Sequence, residues 1–383
     1  MRILAVGGGS GGHVTPVVAV LREIKNIHPR AEIRFWCDRK FAAQATSIMG
    51  NFDSSIPVHK IFSGKLRRYH HLSVLRQLLW PSLVIKNVRD GFLVFVGLIQ
   101  SIVKLIIWRP DVVFAKGGYV CLPVGIAARL LNIPLIIHDS DAHPGLTNRI
   151  LSKWATLIAT GAPLEYYHYP AAKSQYVGIP VAPEFHKFSE SERQISKEKW
   201  GIVTDKPLIV VTGGGLGASR INDAVVLSLK SLLKIGSVIL ISGTWQYDEI
   251  KSITPPNDNN FQLHSFVSKD MATLLGAADV VVARAGATTI LELAALAKPT
   301  ILIPNAKLTG GHQLKNAAVY LKEGAVMIVN EEEMVDSPQV LVSAIDEVLS
   351  NPERAEKMSK AFFPFARPNA ARDVANMILS SIK

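Results

Sequence analysis

The side chain best suited to moving a proton in this chain is His13, and it stands directly behind a glycine loop. The apolar run Ile3 to Val6 leads into Gly7-Gly8-Gly9-Ser10-Gly11-Gly12-His13, the order of a strand, a glycine turn and a helix opening. Such a turn binds anions, because glycine lets the backbone approach a phosphate and the first helical turn presents N–H groups without partners. A plain dinucleotide turn has no use for an imidazole there. A site of proton chemistry does, and the ordinary histidine pKa of ~6.5 suits proton removal near neutral pH.

Two more loops carry polar groups at predicted strand ends. Asp111 to Ala115 reads as a buried strand and is followed by Lys116-Gly117-Gly118-Tyr119-Val120; Leu135 to Ile137 reads as another, followed by His138-Asp139-Ser140-Asp141 and the run to Asn148. In an open α/β sheet, ligands bind outside the carboxyl ends of the strands. The three loops are therefore expected to converge on a cleft lined by Ser10, His13, Tyr119, Asp139, Asp141 and Asn148. One His or Asp alone is more often a cap than a catalyst, and it is the convergence that points to function.

The second half repeats the plan. Leu208 to Val211 leads into Thr212-Gly213-Gly214-Gly215-Leu216-Gly217-Ala218-Ser219, and Ala278 to Ala283 leads through Arg284-Ala285-Gly286 into Ala287-Thr288-Thr289-Ile290-Leu291-Glu292. Thr288 and Thr289 can cap a helix and bind phosphate oxygens. Glu292, placed near the first turn, can accept both hydroxyls of a ribose or serve as a helix-dipole charge. Thr300 to Ile303 then runs into a loop and helix with His312, Gln313 and Asn316, whose amides suit sugar hydroxyls.

The elements that must position these residues follow from length and pattern. The chain has 383 residues, 48% hydrophobic and 19% charged, enough for two domains of roughly 150–200 residues. Val14 to Ile27 reads as a helix with Pro16 in its first turn, and Ala31 to Trp36 as a strand before Cys37-Asp38, so the chain opens β-α-β and builds a parallel sheet. Pro180, Pro183 and the charged run Ser189 to Lys199 read as a linker; Val238 to Ser242 and Phe261 to Phe266 read as strands. Cys37 and Cys121, in apolar surroundings and without metal spacing, are expected to be reduced core thiols. No metal site and no cofactor are indicated.

The charge balance is basic: 42 Lys and Arg against 31 Asp and Glu, net +11. That favours phosphorylated ligands, nucleic acid or an anionic membrane. Lys65, Arg67, Arg68, His70, His71 and Arg76 alternate with leucines and Trp80, and the apolar stretch Phe92 to Trp108 follows. This combination suits a membrane surface; Gln100 and Lys104 favour a buried or interfacial helix over a spanning one. The first strand begins at Arg2, which leaves no room for a leader, so a cytoplasmic protein is expected.

Together these stretches carry a resemblance. Gly-Gly-x-Ser-Gly-Gly-His at the start, Gly-Gly-Tyr-Val at 117–120, Pro-Gly-Leu-Thr-Asn at 144–148, Gly-Gly-x-x-Gly-Ala at 213–218, Ala-Gly-Ala-x-Thr-x-x-Glu at 285–292 and His-Gln-x-x-Asn-Ala at 312–317 resemble, in order, the MurG family of glycosyltransferases. The resemblance implies an α/β fold of two Rossmann-like domains with parallel sheets facing across a cleft (GT-B). Residues 1–182 would bind acceptor and membrane, 183–366 would bind the UDP-sugar, and a C-terminal helix at about 367–383 would pack back on the first domain. It implies inverting transfer of N-acetylglucosamine from UDP-N-acetylglucosamine to an undecaprenyl-diphosphate-linked muramyl pentapeptide in peptidoglycan synthesis. His13 would be the base. Donor contacts would come from Ser10, Gly11, Gly12, Asp141, Gly215, Val267, Ala287, Thr288, Thr289, Ile290, Leu291, Glu292, His312, Gln313 and Asn316. Acceptor contacts would come from Gly8, Gly9, Tyr119, Asp139 and Asn148. The implied partners are the polyprenyl-diphosphate lipid, an anionic membrane surface at the cytoplasmic face of the plasma membrane and, by analogy, cell-wall assembly proteins; nucleic acid is not expected.

The chain departs from the family pattern at three places. His138-Asp139-Ser140-Asp141 stands where the family reads His-Glu-Gln-Asn, Ala182 stands where an arginine is usual, and Gly215 replaces a serine. The alternative is a divergent paralogue moving another UDP-sugar to another lipid. A nicotinamide or flavin oxidoreductase would account for the spacing Gly7-x-Gly9-x-x-Gly12, and a non-catalytic nucleotide-sugar or nucleic-acid binder for the charge.

Overall fold

The computed structural model describes the chain except for residues 9–10, 67–78, 203–205, 216, 268–269, 307–310 and 383. Gly9, Ser10 and most of the basic, leucine-rich stretch named above lie outside the described residues. The chain forms two compact units, Met1–Ala182 with Arg367–Lys383, and Pro183–Ala366.

In the first unit the strands are β1 (Arg2–Val6), β2 (Glu32–Asp38), β3 (Val58–Ile61), β4 (Val112–Ala115), β5 (Leu135–Asp139), β6 (Leu157–Thr160) and β7 (Ser174–Tyr176). They form one parallel sheet in the order β3-β2-β1-β4-β5-β6-β7. The pleat sends alternate residues to opposite faces. Ile3 and Ala5 of β1 pack with helix Gly11–Ile27 and with Val374, Ala375 and Ile378 of the final helix, Ala370–Ser380. Leu4 and Val6 join a second core against helix Cys121–Leu130 and Leu105.

Several boundaries differ from the periodic pattern. Helix Gly11–Ile27 starts at the glycines, which carry no hydropathy signal, so Pro16 lies inside it and not in its first turn. β5 runs through His138 and Asp139, which makes Asp139 a buried strand residue instead of a loop residue. The apolar helix is longer than its core stretch suggests: it spans Pro81–Ile107, with proline at the first helical position, where a missing N–H costs nothing. It is long and apolar enough to cross a membrane, yet one face is tied down. Gln100 accepts from the Phe62 N–H and donates to the Lys60 carbonyl, closing the edge of β3. Gly97 sits where a side chain would strike the Phe62 carbonyl.

The second unit holds β8 (Leu208–Thr212), β9 (Ser237–Ile241), β10 (Phe261–His264), β11 (Val280–Ala283), β12 (Thr300–Leu302) and β13 (Met327–Ile328), all parallel in the order β10-β9-β8-β11-β12-β13. The charged run expected to be a linker is a helix, Glu190–Lys199. Ser189 and Glu192 close a reciprocal capping box at its start, and Arg193 and Lys197 pair with Asp279 beside β11. In both sheets the chain reverses direction of growth around the first strand, between β1 and β4 and between β8 and β11. In open parallel sheets a ligand crevice lies outside the carboxyl ends at such points.

Candidate active site

At the first switch point two glycine turns meet backbone to backbone. A side chain on Gly8 would run into Asp38 Oδ2 and Val120, and one on Gly118, at φ +90°, into the Gly8 carbonyl. Asp38 ends β2, where a dinucleotide fold keeps its ribose acid. Here it is 1% exposed, accepts from the N–H groups of Lys40 and Phe41, and bonds the Tyr119 hydroxyl. That carboxylate is spent on the protein and is not offered to a ribose.

His13 lies on the helix that leaves this turn. A β-carbon built on Gly117, at φ +121°, would stand 3.4–3.5 Å from its ring. The Nδ1 atom is closed off from solvent with no partner among the described residues. The expectation of an ordinary pKa is corrected: burial, reinforced by the Lys116 ammonium, lowers His13 to about 4, with Asp141 and Asp38 pulling the other way. The imidazole is thus neutral throughout the physiological range, and a weaker base than a solvated histidine.

The loop after β5 closes over the same place. Asp139 is buried, accepts from the Tyr169 hydroxyl at 2.6 Å, and burial pushes it up to about 7. Asn148, also buried, donates to the His138 carbonyl at 3.4 Å. Asp139 and Asn148, the acceptor candidates, are thus both tied into the fold around the end of β5. His138 is fully buried with its Nε2 2.8 Å from the Gly178 carbonyl, so Nε2 carries the hydrogen. His13, Tyr119, Asp139, Asp141 and Asn148 are thus brought into one cluster, and the sequence reasoning overlooked two members of it. Tyr169 carried no motif to mark it, whereas Lys116 was marked by its place between a strand and two glycines. Cys121 donates to the Gly117 carbonyl at 3.1 Å, a buried thiol pushed up to about 12; Cys37 behaves alike.

In the second unit, helix Ala287–Ala295 opens at the end of β11. Its N-cap is Gly286, with no side-chain cap, so Thr288 and Thr289 lie within the first turn and do not cap it. The N–H groups of Ala287, Thr288 and Thr289 precede the first intrahelical bond, which Ile290 makes to Gly286; the opening turn of a helix is chemically suited to an anion. Ile290 and Leu291 are 0% and 1% exposed. Their side chains belong to the core, which leaves only their backbone to face a ligand. Glu292 falls in the second turn, beyond reach of a helix-end charge effect. Burial and Glu184 push it up to about 8.

The other donor candidates lie after β10 and on helix His312–Lys322. Asn316 is buried and donates to the Ala285 carbonyl at 3.4 Å; Gln313 accepts from the Asn305 N–H at 2.9 Å. His312 opens helix His312–Lys322 with its Nδ1 sealed and unpartnered among the described residues. Val267 is 9% exposed. Also overlooked was Glu331, buried between Arg284 and Arg220. Arg284 donates as well to the Ile303 carbonyl at 3.0 Å, so three segments at the carboxyl end of this sheet are locked together.

The loop after β8 shows which glycines matter. Nothing lies within 4 Å of a β-carbon on Gly215, whereas Gly217, at φ +75°, abuts the Ser242 carbonyl. Gly215→Ser should change stability by less than about 0.5 kcal/mol. Gly217→Ala should cost more than about 1–2 kcal/mol from its backbone alone. Thermal melts of the two variants check this, and equal midpoints would contradict it.

Comparison with known proteins agrees with this architecture. The glycosyltransferase family 28 N-terminal domain matches residues 3–160 and the glycosyltransferase family 28 C-terminal domain residues 208–376. The UDP-N-acetylglucosamine–N-acetylmuramyl-(pentapeptide) pyrophosphoryl-undecaprenol N-acetylglucosamine transferase of Clostridium kluyveri is 34% identical over 383 residues, covering 100% of this chain and 99% of the relative. The protein of the same name from Bacillus cytotoxicus is 32% identical over 386 residues, covering all of both chains. The crystal structure of Acinetobacter baumannii MurG superposes with a TM-score of 0.73 at 25% identity, covering 99% of each chain. With both domains matched in order on two parallel-sheet α/β units of the GT-B type, the chain belongs to glycosyltransferase family 28.

Proposed function

We propose that this protein transfers N-acetylglucosamine from UDP-N-acetylglucosamine to the muramyl hydroxyl of an undecaprenyl-diphosphate-linked N-acetylmuramyl-pentapeptide, the step from lipid I to lipid II in peptidoglycan synthesis. The observation that carries it is identity of 32–34% along the whole chain to transferases of that name. The acceptor hydroxyl attacks the anomeric carbon, the configuration inverts, and UDP leaves. His13 takes the hydroxyl proton; being neutral, it needs no prior deprotonation. The leaving diphosphate is met by the N–H groups of Ala287, Thr288 and Thr289, dipoles fixed before the charge develops. Asn316 and Gln313 hold the neighbouring loops in shape, and Glu292 receives the ribose. Incubating the protein with radiolabelled UDP-N-acetylglucosamine and lipid I in detergent tests the assignment: label must enter the lipid phase, and label remaining in the aqueous phase with lipid I present would overturn it.

Glu292 gives this reading a pH signature. A carboxylate accepts two ribose hydroxyls only when ionised, and in the free protein the group holds its proton to about pH 8. Binding therefore releases a proton. Affinity for UDP-N-acetylglucosamine should rise by up to about tenfold per pH unit below pH 8 and level off above it. Calorimetry across pH 6–9 measures it, and Glu292→Gln should bind weakly with no such slope; a slope surviving in that variant would remove Glu292 from the ribose.

The same reading sets the protein on the cytoplasmic face of the plasma membrane, as a peripheral protein. Helix Pro81–Ile107 supports it. Ile85, Val88, Phe92, Phe95, Ile99, Val103 and Ile106 recur every three or four residues and are all at least half exposed, a single apolar stripe. The opposite face is held by Gln100, Gly97 and Asp90, the last of which stands against Gly64. A helix bound to its own domain at three places along its length lies in the interface and does not cross it.

A further inference from the structure

Three consecutive residues, Asp139 at the end of β5 and Ser140 and Asp141 beyond it, are each gripped by a side chain from elsewhere in the first unit. Tyr169 donates its hydroxyl to Asp139 Oδ2 at 2.6 Å, Lys116 donates to Ser140 Oγ, and Tyr167 donates its hydroxyl to the Asp141 carbonyl at 2.8 Å. Both tyrosines come from one stretch between β6 and β7, and they stack with ring centroids 5.4 Å apart and planes 16° from parallel. Tyr167 is 7% exposed, and its hydroxyl also accepts from the Ala162 N–H at 3.2 Å, which fixes the direction in which it donates. The same stretch begins at Gly161, where a β-carbon would stand 2.8 Å from the Ser140 carbonyl oxygen, so its backbone is packed on the gripped segment. Two phenylalanines would fill this space equally well; the hydroxyls matter for what they hold. Lys116, the third grip, precedes Gly117, whose open face packs on the His13 ring. Residues 139–141 and the His13 ring therefore share one support.

We propose that Tyr167 and Tyr169 are positioning residues of the transfer, a latch of two hydroxyls that holds residues 139–141 in one conformation at the carboxyl end of β5, on the support that also carries His13. A segment past the end of a strand has left the ladder of hydrogen bonds and is ordinarily mobile. Gripped at each residue, it becomes as rigid as the sheet, and a reacting geometry needs that rigidity because a displacement of about 1 Å can cost about a hundredfold in rate. Both tyrosines act through the segment they hold. The link to turnover rests on the reaction proposed above, with His13 as its base, while the latch itself does not.

The test compares the full-length protein with Tyr167→Phe, Tyr169→Phe and the double variant, which keep the ring stack and lose only hydroxyls. Amide hydrogen exchange at 139–143 without ligand reads the latch and should quicken by at least about tenfold in either single variant, while helix Ala287–Ala295 exchanges as in the native protein. At saturating substrates kcat should fall by about tenfold or more, with the calorimetric affinity for UDP-N-acetylglucosamine within about threefold of native. The loss in the double variant should be smaller than the product of the single losses by at least about threefold, since both hydroxyls hold one segment. Ser189→Ala separates this from general destabilisation: it removes the capping box of helix Glu190–Lys199, should lower the thermal midpoint, and should leave kcat within about twofold. Should Tyr169→Phe, which strips a buried carboxyl of its donor, fail to fold, Tyr167→Phe carries the test. Native exchange at 139–143, quickened exchange with native kcat, or losses that multiply in the double variant would each overturn the proposal. A native protein that transfers no sugar would overturn the reaction, and exchange at 139–143 would still decide the latch.

Discussion

Replacing His13 by alanine should lower turnover by roughly a hundredfold or more while UDP-N-acetylglucosamine still binds. Two imidazoles of the first unit's cluster, His13 and His138, are neutral at physiological pH with an unpartnered Nδ1 among the described residues, and His138 is held in the fold by its Nε2 on the Gly178 carbonyl, which leaves His13. Asp139 is engaged by Tyr169, and Lys116 is a cation. The lowered pKa gives the prediction a sign. A base with a pKa of about 4 stays unprotonated as pH falls through 6.5, so kcat/KM, which reports the free enzyme, should not drop there on account of His13. The acid limb that belongs to His13 should lie near pH 4 and vanish in His13→Ala. A limb at 6.5 in the native enzyme would mean that the ring is solvated, and near-normal turnover in His13→Ala would end its role.

The glycine turns at 7–12 and 213–217 place both switch points, because backbone approach demands glycine wherever a carbonyl or carboxylate lies behind it, as at Gly8, Gly118 and Gly217. Strand cores were legible from apolar runs, but their ends were not: Asp38 and Asp139 are polar residues paired within the sheet, and no periodicity marks a polar strand residue. The helix at 190–199 was misread as a linker although Ser189 and Glu192 spell a capping box; its mean polarity hid a helix held by ion pairs. For the site, residue types were legible and environments were not. The same His, Glu and Lys read as ordinary in sequence become a neutral His13, a protonated Glu292 and a buried Lys116 because burial and neighbours set ionisation, and neighbours come from elements far apart in the chain.

Introducing glutamate at both Phe92 and Phe95 should release the protein from membranes without disturbing its chemistry. The two rings are 65% and 57% exposed in the middle of the apolar stripe, so the fold does not depend on them. Burying a phenylalanine side chain is worth about 1.5–3 kcal/mol, so losing two should reduce partition onto anionic vesicles by at least about a hundredfold. Each basic residue near the surface adds about 1 kcal/mol when the lipid is anionic, and the net charge of +11 predicts that neutral vesicles bind the native protein far more weakly than anionic ones. Flotation on both kinds of vesicle measures the two contributions separately. Turnover on a short-chain, water-soluble acceptor should stay within about twofold of native, since both rings are exposed on the face of the helix away from Gly97, whereas turnover on lipid in vesicles should fall with binding. Unchanged flotation would take the stripe out of membrane docking. Resistance of the native protein to a high-salt or alkaline wash would show a helix that crosses the bilayer, which would require Gln100 and Gly97 to give up β3.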